Sequence, residues 1–223
     1  MSDEDPPPRR YVVVEGVIGV GKTTLVHRLG EVFGARTVLE RFEDNPFLPG
    51  FYRDRDAHAL STQLFFLMSR YRQQAELSQP DLFRPFTLAD YLFDKDQIFA
   101  GLTLSSDERR LYDQLFAVLS PQVPRPDLVI YLRAGVAVLS ERIRIRGRSY
   151  EKDLDPGYLR DLAAAYDRFF ARWRGAPVVT VDVGRLDLRR DGPVYATLVE
   201  KARSGEGPSF IGADGDLFTG AGS

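Results

Sequence analysis

Gly16-Val17-Ile18-Gly19-Val20-Gly21-Lys22-Thr23 reads G-x-x-x-x-G-K-[ST], and Thr24 follows it. Glycines here let successive backbone N–H groups converge on phosphate oxygens without Cβ obstruction. Lys22 offers a cation to β- and γ-phosphates. Thr23 offers a hydroxyl to a small hard cation such as Mg²⁺, which takes a few protein oxygens and leaves the rest to phosphate and water. The chemistry implied is the gripping of a nucleoside triphosphate. Such a loop needs a strand before it and a helix after it. The apolar run Tyr11-Val12-Val13-Val14 precedes it, and Leu25, Leu29, Val32 and Phe33 follow at helical spacing. A helix beginning near Lys22 would add the positive end of its dipole.

Three further stretches bear on what meets the triphosphate. After a second strand comes Leu39-Glu40-Arg41-Phe42-Glu43-Asp44-Asn45-Pro46. A carboxylate at a strand end beside phosphate can orient and deprotonate an attacking hydroxyl, which makes Glu40 the candidate base. The alternative is that Glu40 only pairs with Arg41 or with solvent. On a helix spanning about 59–74, Leu60, Leu64, Leu67 and Tyr71 form an apolar stripe interrupted by Gln63 and Arg70. Seven residues apart, those two fall within about 20° of each other around the axis. An amide and a guanidinium on one side suit the edge of a planar heterocycle, unless they are merely a solvated polar edge. In Glu141-Arg142-Ile143-Arg144-Ile145-Arg146-Gly147-Arg148-Ser149-Tyr150-Glu151, four arginines fall within seven residues. Arg142 and Arg146 share a helix face, Gly147 lets the helix end and Arg148 lies just beyond. Such a segment can close as a lid over a transferring phosphoryl group, or its arginines can complement a helix C-terminus from water.

Taken together these stretches resemble the deoxynucleoside kinase family, most closely the bacterial deoxyadenosine/deoxyguanosine kinases, over about residues 11–170. The resemblance rests on Glu15 through Thr24, Glu40 followed by Asp44-Asn45-Pro46, Gln63 with Ser69-Arg70, and Arg142 through Glu151. It implies transfer of the γ-phosphoryl of ATP to the 5′-hydroxyl of a deoxynucleoside, with Glu40 as base. It also implies that Tyr52 and Glu151 hold the 3′-hydroxyl, that Gln63, Arg70 and Asp96 recognise the nucleobase, and that Arg142, Arg146 and Arg148 form the lid. A tyrosine and a glutamate clasping the 3′-hydroxyl leave little room at the 2′ position and favour deoxyribose. The Arg70–Asp96 pair implies a purine, or cytosine, rather than thymidine. One departure stands out. Where the family carries an acid followed by Arg-Ser, this chain reads Asp90-Tyr91-Leu92. Asp90 keeps the acid and is expected to help hold Mg²⁺ with Thr23, while the lost arginine leaves Arg41 or Lys95 to steady Glu40.

The elements that must position these groups alternate along the chain. Strand patterns over residues 11–15, 37–39, 86–89, 128–132 and 178–183 are separated by helical patterns, as in a parallel sheet covered on both faces with ligands at the strands' carboxyl ends. The expected fold is α/β, a P-loop kinase fold with a five-stranded parallel sheet and an arginine-rich lid at about 142–151. One domain is expected over 11–203, after a disordered, Pro-rich segment 1–10 and before a Gly/Ser-rich, disordered tail 204–223. Ser105 with Glu108 reads as a capping box, and Asp155-Pro156 as a helix start. On the helix from Ser106 to Leu119, Leu111, Leu115, Val118 and Leu119 share a side that faces either the core or a second subunit. The resemblance implies a homodimer.

Composition narrows the partners. Lys plus Arg total 30 against 32 Asp plus Glu, a net charge of −2 that offers no attraction to a nucleic acid polymer. The chain contains no cysteine, which excludes disulfides and thiolate metal sites and suits the cytoplasm. No signal-peptide or bilayer-spanning run is visible, so no membrane partner is expected. His27 and His58 have no second ligand nearby in sequence, and Trp173 reads as packing. Two rivals share the P-loop. A nucleoside monophosphate kinase of the thymidylate kinase type would need cations, not Glu40, for its acceptor's phosphate. A non-enzymatic nucleotide switch would need an effector surface, and the guanine motif Asn-Lys-x-Asp is absent.

Overall fold

The computed structural model describes residues 10–77, 84–148, 151, 154–190, 192–207, 209–212 and 217–218. Residues 1–9 of the expected N-terminal segment, Ser149 and Tyr150 of the expected lid, and half of the expected tail lie outside them.

A central strand, β1 (Arg10–Gly16), carries Val12, Val13 and Val14, all without solvent exposure, as a strand covered on both faces must. It pairs in parallel with β3 (Phe86–Ala89) on one side and β4 (Leu128–Arg133) on the other. β2 (Arg36–Val38) extends the sheet beyond β3, and β5 (Val178–Asp182) beyond β4, both parallel. The strand order is β2-β3-β1-β4-β5, continued by β6 (Ser209–Ile211) and β7 (Leu217–Phe218). The chain therefore reverses direction of travel across the sheet beside β1, the place where doubly wound sheets open a crevice for ligands.

The sheet is wider than the five strands expected. β6 (Ser209–Ile211) pairs in parallel with β5, and β7 (Leu217–Phe218) pairs antiparallel with β6. Residues 209–211 thus belong to the sheet and not to a disordered tail, with Ser209 and Ile211 buried. Six parallel strands are present, and the seventh is a short antiparallel edge. Strands this short gain their order from pairing, β6 with the edge of β5 and β7 with β6, not from their own sequence.

Helices cover both faces. The main core joins β1, β3, β4 and β5 to α1 (Lys22–Phe33), α6 (Val136–Arg146), α7 (Pro156–Arg172) and α8 (Pro193–Ser204). A second cluster, Leu67, Phe93, Ala100, Tyr112 and Phe116, joins α3 (Arg55–Leu77), α4 (Asp96–Thr103) and α5 (Ser106–Leu119). The expected helix starts are formed: Ser105 and Glu108 make a reciprocal capping box, and the Asp155 side chain accepts from the N–H groups of Gly157 and Tyr158. On α5 the buried side is Tyr112 and Phe116, whereas Leu111, Leu115 and Val118 are exposed. Of the expected stripe, Leu119 packs against the second cluster, while Leu111, Leu115 and Val118 stay outside this chain's core. No helix among the described residues is long and apolar enough to cross a membrane.

Candidate active site

The carboxyl ends of β1, β2 and β3 converge. β1 runs into Gly16, whose φ of 150° and whose absent Cβ, which would lie 2.3 Å from the Leu132 carbonyl, restrict the position to glycine. Gly21 caps α1 in a left-handed conformation, so the first helical N–H groups point into the loop. Lys22 folds back and donates to the Gly16 carbonyl at 2.7 Å. Burial pulls its ammonium pKa below the usual lysine range, Lys95 adds to this, and the acidic groups Glu15, Glu40 and Asp90 oppose it.

Glu15, the charged residue ending the apolar run of β1, is fully buried. Its carboxylate accepts from the N–H groups of Gly16 (2.8 Å) and Leu92 (2.7 Å) and from the Tyr166 hydroxyl (3.1 Å). It ties the start of the phosphate loop to the end of β3 and to α7. Sequence reasoning quoted Glu15 in the motif without a role; a charge closing a fully apolar strand was the visible cue.

Asp90, one residue past β3, connects the loop to the carboxylate beside it. Its Oδ2 accepts from Thr23 Oγ1 at 2.6 Å and its Oδ1 from the Glu40 N–H at 2.7 Å. Glu40 follows β2 and points into a cavity lined by Lys22, Thr23, Tyr52, Gln63, Arg70, Asp90, Lys95, Arg146, Arg148 and Glu151, among others. The Glu40 carboxylate is held on both oxygens. Arg70 donates to Oε1 from Nε at 2.9 Å and also from Nη2, while Lys95 Nζ donates to Oε2 at 2.6 Å. Burial raises the Glu40 pKa, but the Arg70 and Lys95 charges and hydrogen bonds outweigh it and hold the carboxyl well below the usual range. Glu40 thus pairs with neither Arg41 nor solvent alone. Arg41 is exposed and, among the described residues, forms no ion pair.

Gln63 and Arg70 lie on one buried side of α3, with 2% and 4% exposure, and both line the cavity. Arg70 also pairs through Nη1 with Asp96 at the start of α4. Asp96 is fully buried behind Arg70 and does not itself line the cavity. Gln63 Oε1 is buried without a hydrogen-bond partner among protein atoms on the cavity wall, and Asp96 Oδ2 is buried without one behind it. Between them and the phosphate loop the walls are apolar and aromatic: Phe42, Phe51, Phe66, Phe99, Tyr158 and Tyr166. Sequence reasoning missed these, because aromatic residues on separate elements carry no shared spacing. Tyr52, from the short α2 (Leu48–Arg53), and Glu151 line the same cavity.

The arginine-rich segment divides its labour. α6 ends at Arg146, and Gly147 follows with φ 72°. Arg146 and Arg148 line both the cavity at Glu40 and a second one beside the phosphate loop. Glu151, 5% exposed, pairs with Arg146 and lies 3.6 Å from Arg148, whose guanidinium stacks 3.9 Å from the Phe42 ring. Arg142 lines only the second cavity. Its guanidinium donates to the carbonyls of Val20 (3.0 Å), Val183 (2.9 Å) and Leu186 (3.1 Å), bracing the phosphate loop against the segment after β5. Arg144 is exposed and pairs with Glu141. The second cavity is bounded by residues 19–24, by α6 and by residues 184–189, the last of which carried no motif in the sequence.

Comparison with known proteins bears on this arrangement. The profile of the deoxynucleoside kinase family matches residues 12–204. The chain is 36% identical over 158 residues to a deoxyguanosine kinase of Bacillus subtilis, covering 70% of this chain and 76% of that one. It is 28% identical over 211 residues to the deoxyadenosine/deoxycytidine kinase of the same organism, covering 92% and 96%. Among solved structures, a deoxyadenosine kinase from M. mycoides with bound dATP superposes with a TM-score of 0.71 at 22% identity, covering 86% of this chain and 97% of that one. That likeness shows the shared fold.

Proposed function

The chain belongs to the deoxynucleoside kinase family, and from that membership we propose a specific working of its site: Glu40 takes the proton of a deoxynucleoside 5′-hydroxyl while the γ-phosphoryl of ATP moves onto that oxygen. The chain is a deoxynucleoside kinase and a nucleotide-binding phosphotransferase. The observation that carries the assignment of roles is the meeting of Glu40 with Lys22, Thr23 and the two lid arginines at one junction between two cavities.

ATP lies in the cavity bounded by residues 19–24 and 184–189, its phosphates on the N–H groups of Gly16 through Thr24 and on Lys22. For this the Lys22 ammonium leaves the Gly16 carbonyl. The deoxynucleoside lies in the other cavity, with its base against Gln63, Arg70 and, through Arg70, Asp96. Its 3′-hydroxyl reaches Tyr52 and Glu151. As the 5′-oxygen to phosphorus bond forms and the bond from phosphorus to the ADP oxygen breaks, the hydroxyl proton passes to Glu40, and Arg146 and Arg148 face the charge on the transferring oxygens. Arg142 acts at a distance from that charge, by holding the phosphate loop.

Thr23 and Asp90 offer oxygen donors only, 2.6 Å apart at the mouth of the loop. Among the described residues no group of three or more His, Cys, Asp or Glu converges to bind a metal alone. One hydroxyl and one carboxylate suit Mg²⁺, which completes its shell with phosphate and water. When bound, it neutralises phosphate charge.

A purine deoxynucleoside is the favoured acceptor, with deoxycytidine the alternative, since Gln63 and Arg70 present donors and an acceptor to a heterocycle edge and the relatives are named for deoxyguanosine, deoxyadenosine and, in one case, also deoxycytidine. We further assign the chain to the cytoplasm as a homodimer through the exposed stripe of α5. ADP release measured by a coupled assay with four deoxynucleosides, four ribonucleosides and dTMP tests the reading. Turnover is expected with purine deoxynucleosides. Turnover only with the monophosphate would mark the monophosphate kinase rival, and ADP formation independent of any acceptor would mark the switch.

A further inference from the structure

We propose that Lys95 is the positioning residue for the Glu40 carboxylate, holding Oε2 in place while the nucleobase draws Arg70 away from Oε1. The inference rests on the reading of Glu40 as base given above. Lys95 closes the short helical turn after β3 and is 3% exposed. Burying an ammonium is costly unless a counter-charge receives it, and its receiver is Glu40 Oε2 at 2.6 Å. Among the described residues, no other carboxylate forms an ion pair with Lys95. Arg70, by contrast, is divided between Glu40 and Asp96. A heterocycle edge docking at Gln63 and Arg70 competes with Oε1 for the same guanidinium donors, because Arg70 has no acceptor to offer in exchange and a fixed fork of N–H groups. Once those donors turn to the base, Oε1 is released toward the 5′-hydroxyl and Lys95 alone keeps the carboxylate from swinging. Recognition of the base and exposure of the proton acceptor are thereby coupled through one guanidinium, with Lys95 as the fixed point. Arg41, the cation adjacent to Glu40 in sequence, is exposed and cannot take this part.

Steady-state kinetics of Lys95→Met, Lys95→Arg, Arg41→Ala and the double variant Glu40→Gln/Lys95→Met test this. Lys95→Met is expected to lower kcat by about tenfold to a hundredfold, with KM for both substrates within about threefold of the parent. Lys95→Arg recovers part of the loss and Arg41→Ala leaves turnover unchanged. In the Glu40→Gln background Lys95→Met adds no further loss, because a positioning effect acts only through the carboxylate, whereas a packing effect subtracts from both backgrounds alike. An active parent with equally active Lys95→Met, an equal Lys95→Met loss in both backgrounds, or a raised KM for ATP with kcat intact would each overturn the inference. A parent that forms no ADP with any deoxynucleoside overturns the proposed function, and the inference with it.

Discussion

Glu40 is a carboxylate kept ionised by two buried cations that hold both of its oxygens, and in the proposed reaction its negative charge receives the proton. Replacing it with glutamine keeps the shape and removes the charge. Glu40→Gln is expected to lower kcat by about 10²–10⁴ while changing the deoxynucleoside KM little, a difference read by steady-state kinetics. In the proposed reading Gln63 binds and does not react. Its Oε1 is buried and unpartnered, so Gln63→Leu leaves nothing to receive a donor on the base and is expected to raise KM for the preferred purine by about tenfold, with a smaller effect on kcat. At this scale the sequence was legible where residues act locally. Lys22 and Thr23 follow from a contiguous motif, and Gln63 and Arg70 from helical spacing. The Lys95–Glu40 contact joins residues far apart in the chain, so sequence proximity offered Arg41 equally. Asp96 stands behind Arg70, a depth that no linear spacing reveals.

Elements explain why those side chains stay in place. Gly19 has φ 85°, and a Cβ there would lie 2.8 Å from Ile143 Cγ1 and 3.1 Å from the Leu139 carbonyl, both on α6. Gly19→Ala therefore strains the loop and pushes it from the helix that carries Arg142 and Arg146. It is expected to cost about 1–3 kcal/mol in urea unfolding and to raise KM for ATP more than KM for the deoxynucleoside. The strands up to β5 were legible from apolar runs, and α5 was expected with the same ends that the structure shows. β6 was not legible. Ser-Phe-Ile is too short to show alternation and sits among glycines, yet Ile211 is fully buried against the edge of β5. Deleting residues 209–223 is expected to lower unfolding free energy by about 2 kcal/mol or more, from the loss of Ile211 burial and the re-exposed strand edge. An unchanged urea midpoint would return that segment to the status of a dispensable tail.

The whole molecule presents an aliphatic face that its own core does not use. Leu111, Leu115 and Val118 on α5 are 47%, 39% and 66% exposed, and Met68 on α3 is 41% exposed. An apolar helix face of this kind is costly to leave in water, and a two-fold pairing of two such faces covers both at once. Light scattering after gel filtration is expected to give twice the chain mass, and Leu115→Glu/Val118→Glu to give the chain mass, with the deoxynucleoside site intact. The central claim concerns the whole assembly of loop, base and lid, namely that phosphate leaves ATP for a sugar hydroxyl. Incubation of the parent protein with γ-labelled ATP, Mg²⁺ and deoxyguanosine or deoxyadenosine, followed by separation of the labelled products, tests it most directly. The account predicts label in the deoxynucleoside 5′-monophosphate, and label found solely as inorganic phosphate, or left on ATP with every deoxynucleoside, would contradict it.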